Sequence, residues 1–325
     1  MTDFSIVGDV TEWQQDFERR LRAAYTAAGL DVAAVDRMLD DLRTGVGDWT
    51  VAEITDAGTR VGHVAVVVVD GNGAPAGRIG DLHVDAPHAG RGYEQAARDW
   101  AEEWCEERGA RRLDIRLTEP AGELFADYGV RGQLRARRVT SPPESIDGFT
   151  ARPMTQAEYS EWVAAEKSAY VGDIVRSGAM SREEAVRKAD RDFANLLPEG
   201  LATPDSSLLV FEAEDERIGS GWLKHGYLPG VTYGYSLHVE ERYRGRGHGR
   251  AAMTAGEQAT LAAGDSTLMF TVWGGNEVAM NLYTSTGFRV VEESRSLRLP
   301  RGAALRRRCP IHAPRPFPSD HLIVG

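Results

Sequence analysis

The spacing of apolar positions along the chain changes from one segment to the next, and each spacing predicts a type of secondary structure. Between residues 11 and 43, apolar residues recur every three or four positions, whereas residues 49–85 contain strand-length apolar runs such as Val64–Val69. The first spacing is typical of amphipathic helices and the second of strands. For the first half we therefore predict helices over 11–28, 31–43, 93–108 and 119–128, and strands over 49–55, 60–70, 78–85, 111–117 and 134–140. Gly71-Asn72-Gly73 is typical of a hairpin turn between two of these strands.

The chain contains an internal repeat. Residues 82–97, LHVDAPHAGRGYEQAA, align without a gap with residues 237–252, LHVEERYRGRGHGRAA, at a constant offset of 155. The two segments share 8 of 16 residues, whereas chance would give about one match at ordinary amino-acid frequencies. The repeat predicts two copies of one domain.

The hydrophobic pattern of the second half predicts a similar order of elements. Ser181 and Glu184 form a capping-box pattern at the start of one helix. We predict strands over 148–152, 207–212, 217–224, 232–239, 267–273 and 289–299, and helices over 155–176, 181–196, 249–263 and 277–286.

Proline-rich segments divide the chain. Pro142 and Pro143 interrupt any ladder or helix and mark a linker over 141–147. The predicted domains are therefore residues 1–140 and 148–299. Residues 300–325 hold five arginines and five prolines against one acidic residue, which predicts a disordered basic tail. Docking of this tail on the acidic body or on a nucleic acid stays open as an alternative.

The charge balance limits the class of partner. Lys and Arg number 38 against 49 Asp and Glu, a net charge of -11. This balance argues against a general nucleic-acid binder and favours a cationic ligand. Two cysteines, Cys105 and Cys309, are too few for a disulfide framework or a zinc cluster, so no metal is predicted. Without a visible signal peptide or a membrane-length apolar run, we expect a cytoplasmic protein with no membrane partner.

The segment Val239–Arg250, VEERYRGRGHGR, joins the end of a predicted strand to the start of a predicted helix. Its glycines allow a ligand to approach the backbone, and the first amides of a helix attract anions. Its arginines add positive charge to an acidic chain. A polyphosphate is therefore the expected ligand. The segment lacks the Gly-Lys-Ser/Thr ending of a Walker loop.

Two motifs make the resemblance to a known family specific. Arg244-Gly245-Arg246-Gly247-His248-Gly249 resembles the Arg/Gln-x-x-Gly-x-Gly/Ala signature of the GNAT acetyltransferase superfamily. Downstream, Asn276-Glu277-Val278-Ala279-Met280-Asn281-Leu282-Tyr283, followed by Gly287-Phe288, resembles its second signature. The resemblance implies a mixed α/β fold in each copy: a twisted, splayed mixed sheet flanked by helices. It also implies that acetyl-CoA lies in the splay and that a primary amine attacks the thioester directly.

The resemblance also implies roles for individual residues. Tyr283 matches the tyrosine near the cosubstrate sulfur and is the expected proton donor. Asn276 is expected to contact the pantetheine arm or to cap a helix, and both roles stay open. The pyrophosphate and the pantetheine arm of acetyl-CoA are expected to bind at the end of the strand and at the glycine-rich segment that follows it. The expected binding residues are Leu237, His238, Val239, Arg244, Gly245, Arg246, Gly247, His248, Gly249 and Arg250.

The base that deprotonates the amine is less well defined. Strand alternation predicts that Tyr233, Tyr235, Leu237 and Val239 share one face, with Gly234, Ser236 and His238 on the other. By resemblance, Tyr233 and Tyr235 occupy positions that often reach a water chain, although neither is a carboxylate or a histidine. Water, Tyr235 and Glu212 all remain candidates. Trp222 and Trp273 are expected in the core.

The first copy has lost parts of both motifs. At an offset of 155, Ala89 stands opposite Arg244 and Glu94 opposite Gly249. Aligning Gly129 with Gly287 places Phe125 opposite Tyr283, and Thr118 opposite Asn276. A carboxylate repels phosphate and phenylalanine has no proton to give. We therefore predict that the first copy keeps the fold but binds no acetyl-CoA.

Three functions remain open at this point. The leading one is an acetyl-CoA-dependent N-acetyltransferase whose second copy acts on a primary amine, possibly cationic in view of the acidic chain. A mycothiol synthase-like acetyltransferase is a related alternative, because those enzymes are also tandem GNAT proteins. A non-catalytic acyl-CoA sensor or interaction protein belongs to a different class. The assembly state, monomer or homodimer, stays open.

Overall fold

The computed structural model of the chain describes residues 2–45, 49–70, 74–176 and 181–299. The predicted turn over 71–73 and the predicted tail over 300–325 lie outside the described residues. Across the four described ranges, no helix is long and apolar enough to cross a membrane.

The first half folds largely as its hydrophobic pattern predicts. Its helices are α1 (Thr11–Ala27), α2 (Val32–Gly45) and α3 (Tyr93–Glu107). Its strands are β1 (Thr2–Ile6), β2 (Thr50–Asp56), β3 (Thr59–Asp70), β4 (Pro75–Val84), β5 (Arg112–Leu117) and β6 (Gly129–Arg138).

Two expectations for the first half are wrong. Strand β1 was not predicted, because its five residues alternate in burial and carry little apolar material. The helix predicted over 119–128 is absent, since this segment forms turns. Pro120 and Gly122, whose φ is +55°, interrupt a segment that is already short for a helix.

The second half matches its predicted elements within a few residues. Ser181 and Glu184 form both hydrogen bonds of the capping box. The helices are α4 (Gln156–Arg176), α5 (Arg182–Leu196), α6 (His248–Ala262) and α7 (Glu277–Ser285). The strands are β7 (Phe149–Pro153), β8 (Ser206–Ala213), β9 (Glu216–Leu228), β10 (Val231–Val239), β11 (Thr267–Trp273) and β12 (Arg289–Arg298).

The chain folds into two compact units. The first comprises the described parts of 1–25, 39–132 and 292–317, and the second those of 26–38, 133–291 and 318–325. Strands follow the order β1-β2-β3-β4-β5-β12 in the first unit and β6-β11-β10-β9-β8-β7 in the second. Strand pairing is mixed in both units, because β4 is parallel to β5 and β10 is parallel to β11, whereas β4 is antiparallel to β3 and β10 is antiparallel to β9.

Each unit contains a strand from the other copy of the repeat. In the first unit, β12 pairs antiparallel with β5, from Glu293↔Leu117 to Arg298↔Arg112. In the second unit, residues 133–138 of β6 lie beside β11, and the Val139 amide donates to the Ser266 carbonyl at 2.8 Å. The boundaries of the two sequence copies therefore differ from those of the two compact units at β6 and β12.

Helices cover both faces of the sheet in the second unit. On one face, apolar side chains of α6 and α7 pack with those of β8, β10 and β11. On the other face, Trp222 contacts Trp162 of α4 and Phe193 of α5, with ring centroids 5.6 and 5.7 Å apart. Trp222 is 1% exposed, which confirms its predicted core position, whereas Trp273 is 40% exposed and its predicted core position is wrong.

Candidate active site

The parallel pairing of β10 with β11 stops halfway along β10. It runs from Val231↔Thr267 to Gly234↔Phe270, whereas the pairing of β10 with β9 continues to Val239. The outer half of β10 therefore leaves β11, and a cleft opens between the two strands. This is the splayed sheet that the sequence motifs predict.

A bulge lies at the start of this splay. The register of β9 and β10 shifts at Tyr235, between the pairs Gly234↔Leu223 and Ser236↔Trp222. In a bulge, two residues of one strand face a single residue of the other, and the alternation of side chains slips by one. Tyr235 contacts Trp222, with ring centroids 4.6 Å apart, and Ser236 follows on the same face toward α4.

The bulge overturns the predicted faces of β10. Leu237 packs beside the α6 face, and Val239 belongs to a buried cluster that includes Ala252 of α6. Tyr233 and Tyr235 contact each other on the opposite face, with ring centroids 5.1 Å apart. The expectation that these two tyrosines share a face with Leu237 and Val239 is therefore wrong, because strict alternation does not hold through a bulge.

A pocket occupies the cleft below α6. Its walls come from four strands and two helices, and they are almost entirely apolar. The lining residues are Leu209, Phe211, Gly221, Leu223, Gly234, Ser236, Leu237, Ala252, Met253, Gly256, Leu268, Phe270 and Tyr283.

Tyr283 brings a phenol to this pocket from α7. Its side chain is 2% exposed, and its ring centroid lies 4.2 Å from that of Phe270. Burial raises the pKa of Tyr283, and the charge of Arg135 opposes this rise without reversing it. The phenol is therefore protonated at neutral pH and is able to donate a proton.

Glu166 is a candidate site residue that the sequence reasoning missed. Ser236, on the pocket wall, donates a hydrogen bond of 3.1 Å from Oγ to Glu166 Oε1. Burial raises the pKa of Glu166, although the Ser236 hydrogen bond lowers it in part. A carboxylate with a raised pKa beside the cleft is suited to accept a proton near neutral pH.

A sequence signal for Glu166 exists. Trp162, Glu166 and Tyr170 are spaced four residues apart on α4, and the two aromatic residues are 3% and 9% exposed. A glutamate in the middle of a helix's buried face stands out, because charged residues normally occupy the opposite face.

The other candidate bases have structural partners. Tyr233 is fully buried and its hydroxyl donates to Thr271 Oγ1 at 2.9 Å. Burial raises the pKa of Tyr233, and the Thr271 hydrogen bond opposes this rise without reversing it. Glu212 forms an ion pair of 2.7 Å with Arg152 on β7. These contacts favour a structural role for both Tyr233 and Glu212.

The segment after β10 forms an anion-binding geometry. Gly245 and Gly247 have φ values of +76° and +89°, a left-handed conformation that glycine adopts without strain. Helix α6 begins at His248, and the amides of Arg250 and Ala251 donate to the Gly247 carbonyl. The amides before them belong to the first turn, which has no intrahelical acceptors.

Some side chains of the same segment contact neighbouring residues, and others point into solvent. Arg244 Nε donates to the Val239 carbonyl at 2.9 Å, which anchors the segment to the end of β10. Arg246 and Arg250 are exposed. His248 is partly buried against Phe149, with ring centroids 6.5 Å apart. Burial lowers the pKa of His238, which stands on β10 two residues after Ser236.

Asn276 caps α7. Its side-chain oxygen accepts a hydrogen bond of 3.1 Å from the Ala279 amide. This contact supports the capping role of the two roles expected from the sequence, and it fixes the start of the helix that carries Tyr283.

The corresponding segment of the first copy has a similar backbone conformation, but a side chain of the protein is bonded to it. Gly90 and Gly92 have φ values of +73° and +91°. The carboxylate of Glu94 turns toward this segment, and its Oε1 accepts a hydrogen bond of 2.9 Å from the Gly90 amide. The first copy also lacks the helix that carries Tyr283 in the second copy. Phe125 is buried instead against Tyr128, with ring centroids 5.2 Å apart.

The position opposite Ser236 in the first copy holds an ion pair. Asp81, at the offset of 155, accepts hydrogen bonds from Arg20 at 2.6 Å, His63 at 2.8 Å and Trp13 at 2.9 Å. Burial opposes its ionisation, but the His63 and Arg20 contacts outweigh burial and hold the pKa of Asp81 well below its usual range. The Asp81 carboxylate is therefore engaged by three side chains of its own copy.

No group of three or more His, Cys, Asp and Glu side chains within the described part of the chain is arranged to hold a metal ion.

Known proteins support the same fold and family. An uncharacterized N-acetyltransferase, YycN of Bacillus subtilis, is 29% identical over 153 residues, which are 45% of this chain and 96% of that protein. A mycothiol acetyltransferase of Streptomyces avermitilis is 26% identical over 248 residues, 72% of this chain and 74% of that protein. A GCN5-related N-acetyltransferase structure from Sphaerobacter thermophilus covers 93% of this chain and 98% of its own, with a TM-score of 0.55 and 16% identity.

The family assignment rests on two separate matches within the chain. Residues 10–129 and 173–288 each match the acetyltransferase (GNAT) family. Together these segments cover more than half of the chain and fall one in each copy of the repeat. The chain is therefore a tandem member of the GNAT acetyltransferase family.

Proposed function

We propose that the second copy is an acetyl-CoA-dependent N-acetyltransferase that moves the acetyl group to a primary amine. The observation that carries this proposal is the arrangement at the splay of β10 and β11. A protonated phenol, Tyr283, lines the pocket, and so does Ser236, which donates a hydrogen bond to Glu166. Proton donor and proton acceptor thus stand at one cleft.

The residues of this cleft fit acetyl-CoA. Gly245 and Gly247 have space of at least 4 Å where a Cβ would lie, so phosphate oxygens have access to the backbone. The unpaired edge of β10 at Leu237, His238 and Val239 offers main-chain groups to the amides of a pantetheine arm. Arg246 and Arg250 supply exposed positive charge for phosphates. Acetyl-CoA is here a substrate whose thioester provides the activated acetyl group.

The proposed reaction uses one proton acceptor and one proton donor. Glu166, directly or through water, takes the proton of the substrate ammonium, which leaves a neutral amine as nucleophile. The amine nitrogen bonds to the acetyl carbon as the bond from that carbon to sulfur breaks, and this nitrogen releases its second proton to solvent as the neutral amide forms. Tyr283 then gives its phenolic proton to the departing sulfur and regains a proton from solvent. The products are an N-acetylated amine and coenzyme A.

The first copy is proposed to bind no acetyl-CoA. Its loop amide at Gly90 is engaged by Glu94, and Asp81 is fully engaged by Arg20, His63 and Trp13. It also lacks a phenol at the position of Tyr283. The net charge of -11 supports a cationic amine as the acceptor.

A mycothiol precursor amine is the second candidate acceptor. The observation in its favour is the similarity to a mycothiol acetyltransferase over 72% of this chain. The general proposal and this candidate differ in one assay, because only the latter requires turnover of that amine above turnover of polyamines, aminoglycosides and lysine peptides.

Calorimetric titration of the full chain with acetyl-CoA tests the proposal, followed by an amine panel with thiol release as the readout. We expect one site per chain and turnover with at least one primary amine. Two sites would refute the assignment of a closed first copy. Binding without turnover of any amine would favour the acyl-CoA sensor, and absence of binding would favour an interaction protein.

A further inference from the structure

Strand β6 carries a buried arginine from the first copy into the unit that holds Tyr283. Arg135 is 5% exposed. Its Nη1 donates to Thr284 Oγ1 at 2.9 Å, and its Nε and Nη2 donate to Gln133 Oε1 at 2.9 and 2.6 Å. Residues 133–138 all belong to the second compact unit. The guanidinium is thus fixed against α7 by a strand that lies outside the second copy of the repeat.

The contact lies one residue from the proposed proton donor. Thr284 follows Tyr283 directly on α7. The positive charge of Arg135 favours the ionised form of this phenol, against the effect of burial. When Tyr283 gives its proton to the departing sulfur, the phenol oxygen becomes negative inside an apolar pocket. A buried positive charge nearby lowers the free energy of that state.

We propose that Arg135 is a positioning residue for Tyr283, supplied by the first copy: it fixes α7 through Thr284 and stabilises the negative charge left on the phenol oxygen. This inference rests on the proposed acetyltransferase function. The proton balance is unchanged, since the phenol O–H bond breaks, an S–H bond forms, and solvent later returns the proton. It gives the first copy a role in catalysis without a ligand site of its own.

Arg137, two residues further along β6, is a matched control. Its Nη1 lies 2.8 Å from a Glu257 carboxylate oxygen and donates to the Thr286 carbonyl at 2.6 Å. Arg137 therefore ties the same strand to α6 and to the end of α7, but it does not contact the residue next to Tyr283. Its loss tests the structural contribution of the strand alone.

The experiment compares Arg135→Met, Arg135→Lys and Arg137→Met in the full chain, each with native Tyr283 and with Tyr283→Phe. For each variant we measure kcat with the fastest amine of the panel, the calorimetric Kd of acetyl-CoA and the thermal unfolding temperature. We expect Arg135→Met to lower kcat about tenfold, the effect of about one pKa unit, with an almost unchanged Kd. Arg135→Lys should restore most of this loss.

The double variants separate positioning from simple destabilisation. If Arg135 acts through Tyr283, Arg135→Met changes kcat less than about twofold in the Tyr283→Phe background, which is non-additive behaviour. Arg137→Met should lower the unfolding temperature and leave kcat within about twofold. Equal kcat losses for Arg135→Met and Arg137→Met, or an unchanged effect of Arg135→Met in the Tyr283→Phe background, would overturn the inference.

The Thr284 contact and the activity of the wild-type chain provide two further tests of the role of Arg135. If Arg135→Met does not fold, Thr284→Val removes the contact while the charge remains, and wild-type kcat in that variant would refute the positioning role. If the wild-type chain neither binds acetyl-CoA nor releases thiol with any amine, the proposed function fails, and this inference fails with it. If the wild-type chain is active and Arg135→Met leaves kcat unchanged, the inference about Arg135 is refuted while the proposed function stands.

Discussion

Glu94 Oε1 accepts a hydrogen bond of 2.9 Å from the Gly90 amide, and this contact distinguishes the first copy of the repeat from the second. Gly249 stands opposite Glu94 at the offset of 155 and has no side chain. The backbone around the two positions is alike, since Gly92 and Gly247 both precede their helices in the left-handed conformation. A carboxylate at this position takes a donor that a phosphate needs and repels its charge.

Glycine-to-alanine variants test whether only the second copy binds acetyl-CoA. Gly92 and Gly247 have φ values of +91° and +89°, so an alanine at either position has a strained backbone that costs about 1–2 kcal/mol. We expect Gly247→Ala to weaken acetyl-CoA binding by about 5–30-fold in calorimetry and Gly92→Ala to leave one site with the wild-type Kd. Loss of binding in Gly92→Ala would indicate that the first copy contributes a ligand site.

Removal of the Tyr283 hydroxyl tests the proton donor. General acid catalysis contributes about 100-fold or more to rate, so we expect Tyr283→Phe to lower kcat by at least that factor while the Kd of acetyl-CoA changes little. Tyr128→Phe is the control, because Tyr128 is another buried tyrosine whose hydroxyl donates to Glu102 at 3.0 Å in the first unit. Similar kcat values for Tyr283→Phe and the wild type would remove Tyr283 from the mechanism.

The sequence was sufficient to predict the elements that depend on local pattern. Helix α6, helix α7 and the glycine segment between β10 and α6 follow from periodicity and from two contiguous motifs. The exchange of β6 and β12 was not predictable from the repeat, because a strand pattern does not specify which neighbour the strand pairs with. The site depends on that pairing, since Arg135 reaches Thr284 only through it.

The bulge on β10 explains why the predicted faces of its side chains were wrong. A period of two residues was extended through Tyr235, where the register shifts. The shift turns Ser236 toward Glu166 of α4, a residue 70 positions earlier in the chain. No local spacing links a strand to so distant a helix, although the buried face that contains Glu166 was visible in the sequence of α4.

The pH dependence of turnover tests Glu166. Its raised pKa means that the ionised base is lost on acidification at a higher pH than for an ordinary glutamate, so kcat/KM should fall along an acid limb above pH 4.5. We expect Glu166→Gln to lower kcat/KM about 100-fold and to abolish this limb. An unchanged acid limb in Glu166→Gln would assign it to another group, with His238 the next to test.

The Ser236 hydrogen bond makes a finer prediction about the same limb. Ser236 Oγ donates to Glu166 Oε1 and favours the ionised carboxylate, which partly offsets the effect of burial on its pKa. Ser236→Ala removes this donor, so the acid limb of kcat/KM should move to higher pH while the plateau activity is largely kept. A shift to lower pH, or none, would mean that the hydrogen bond does not act on the catalytic ionisation.

Glu166 and Glu158 lie on the same helix and should affect stability in opposite directions. Burial raises the pKa of Glu166, so its ionisation at pH 8 opposes folding, and Glu166→Gln should raise the thermal unfolding temperature there. Acidification protonates Glu166 in the folded state first, so this gain should shrink as pH falls toward the ordinary carboxyl pKa.

Glu158 provides the opposite case. Hydrogen bonds from Arg152 lower its pKa to about 2, so its ionised form stabilises the fold at pH 8, and this stabilisation is lost only as pH falls from about 4.5 to about 2. Glu158→Gln should therefore lower the unfolding temperature by a constant amount between pH 8 and pH 5. Unfolding scans of both variants across this range check the pair. A less stable Glu166→Gln at pH 8 would show that Glu166 is a structural carboxylate, because a residue kept for catalysis at a cost in stability should behave in the opposite way.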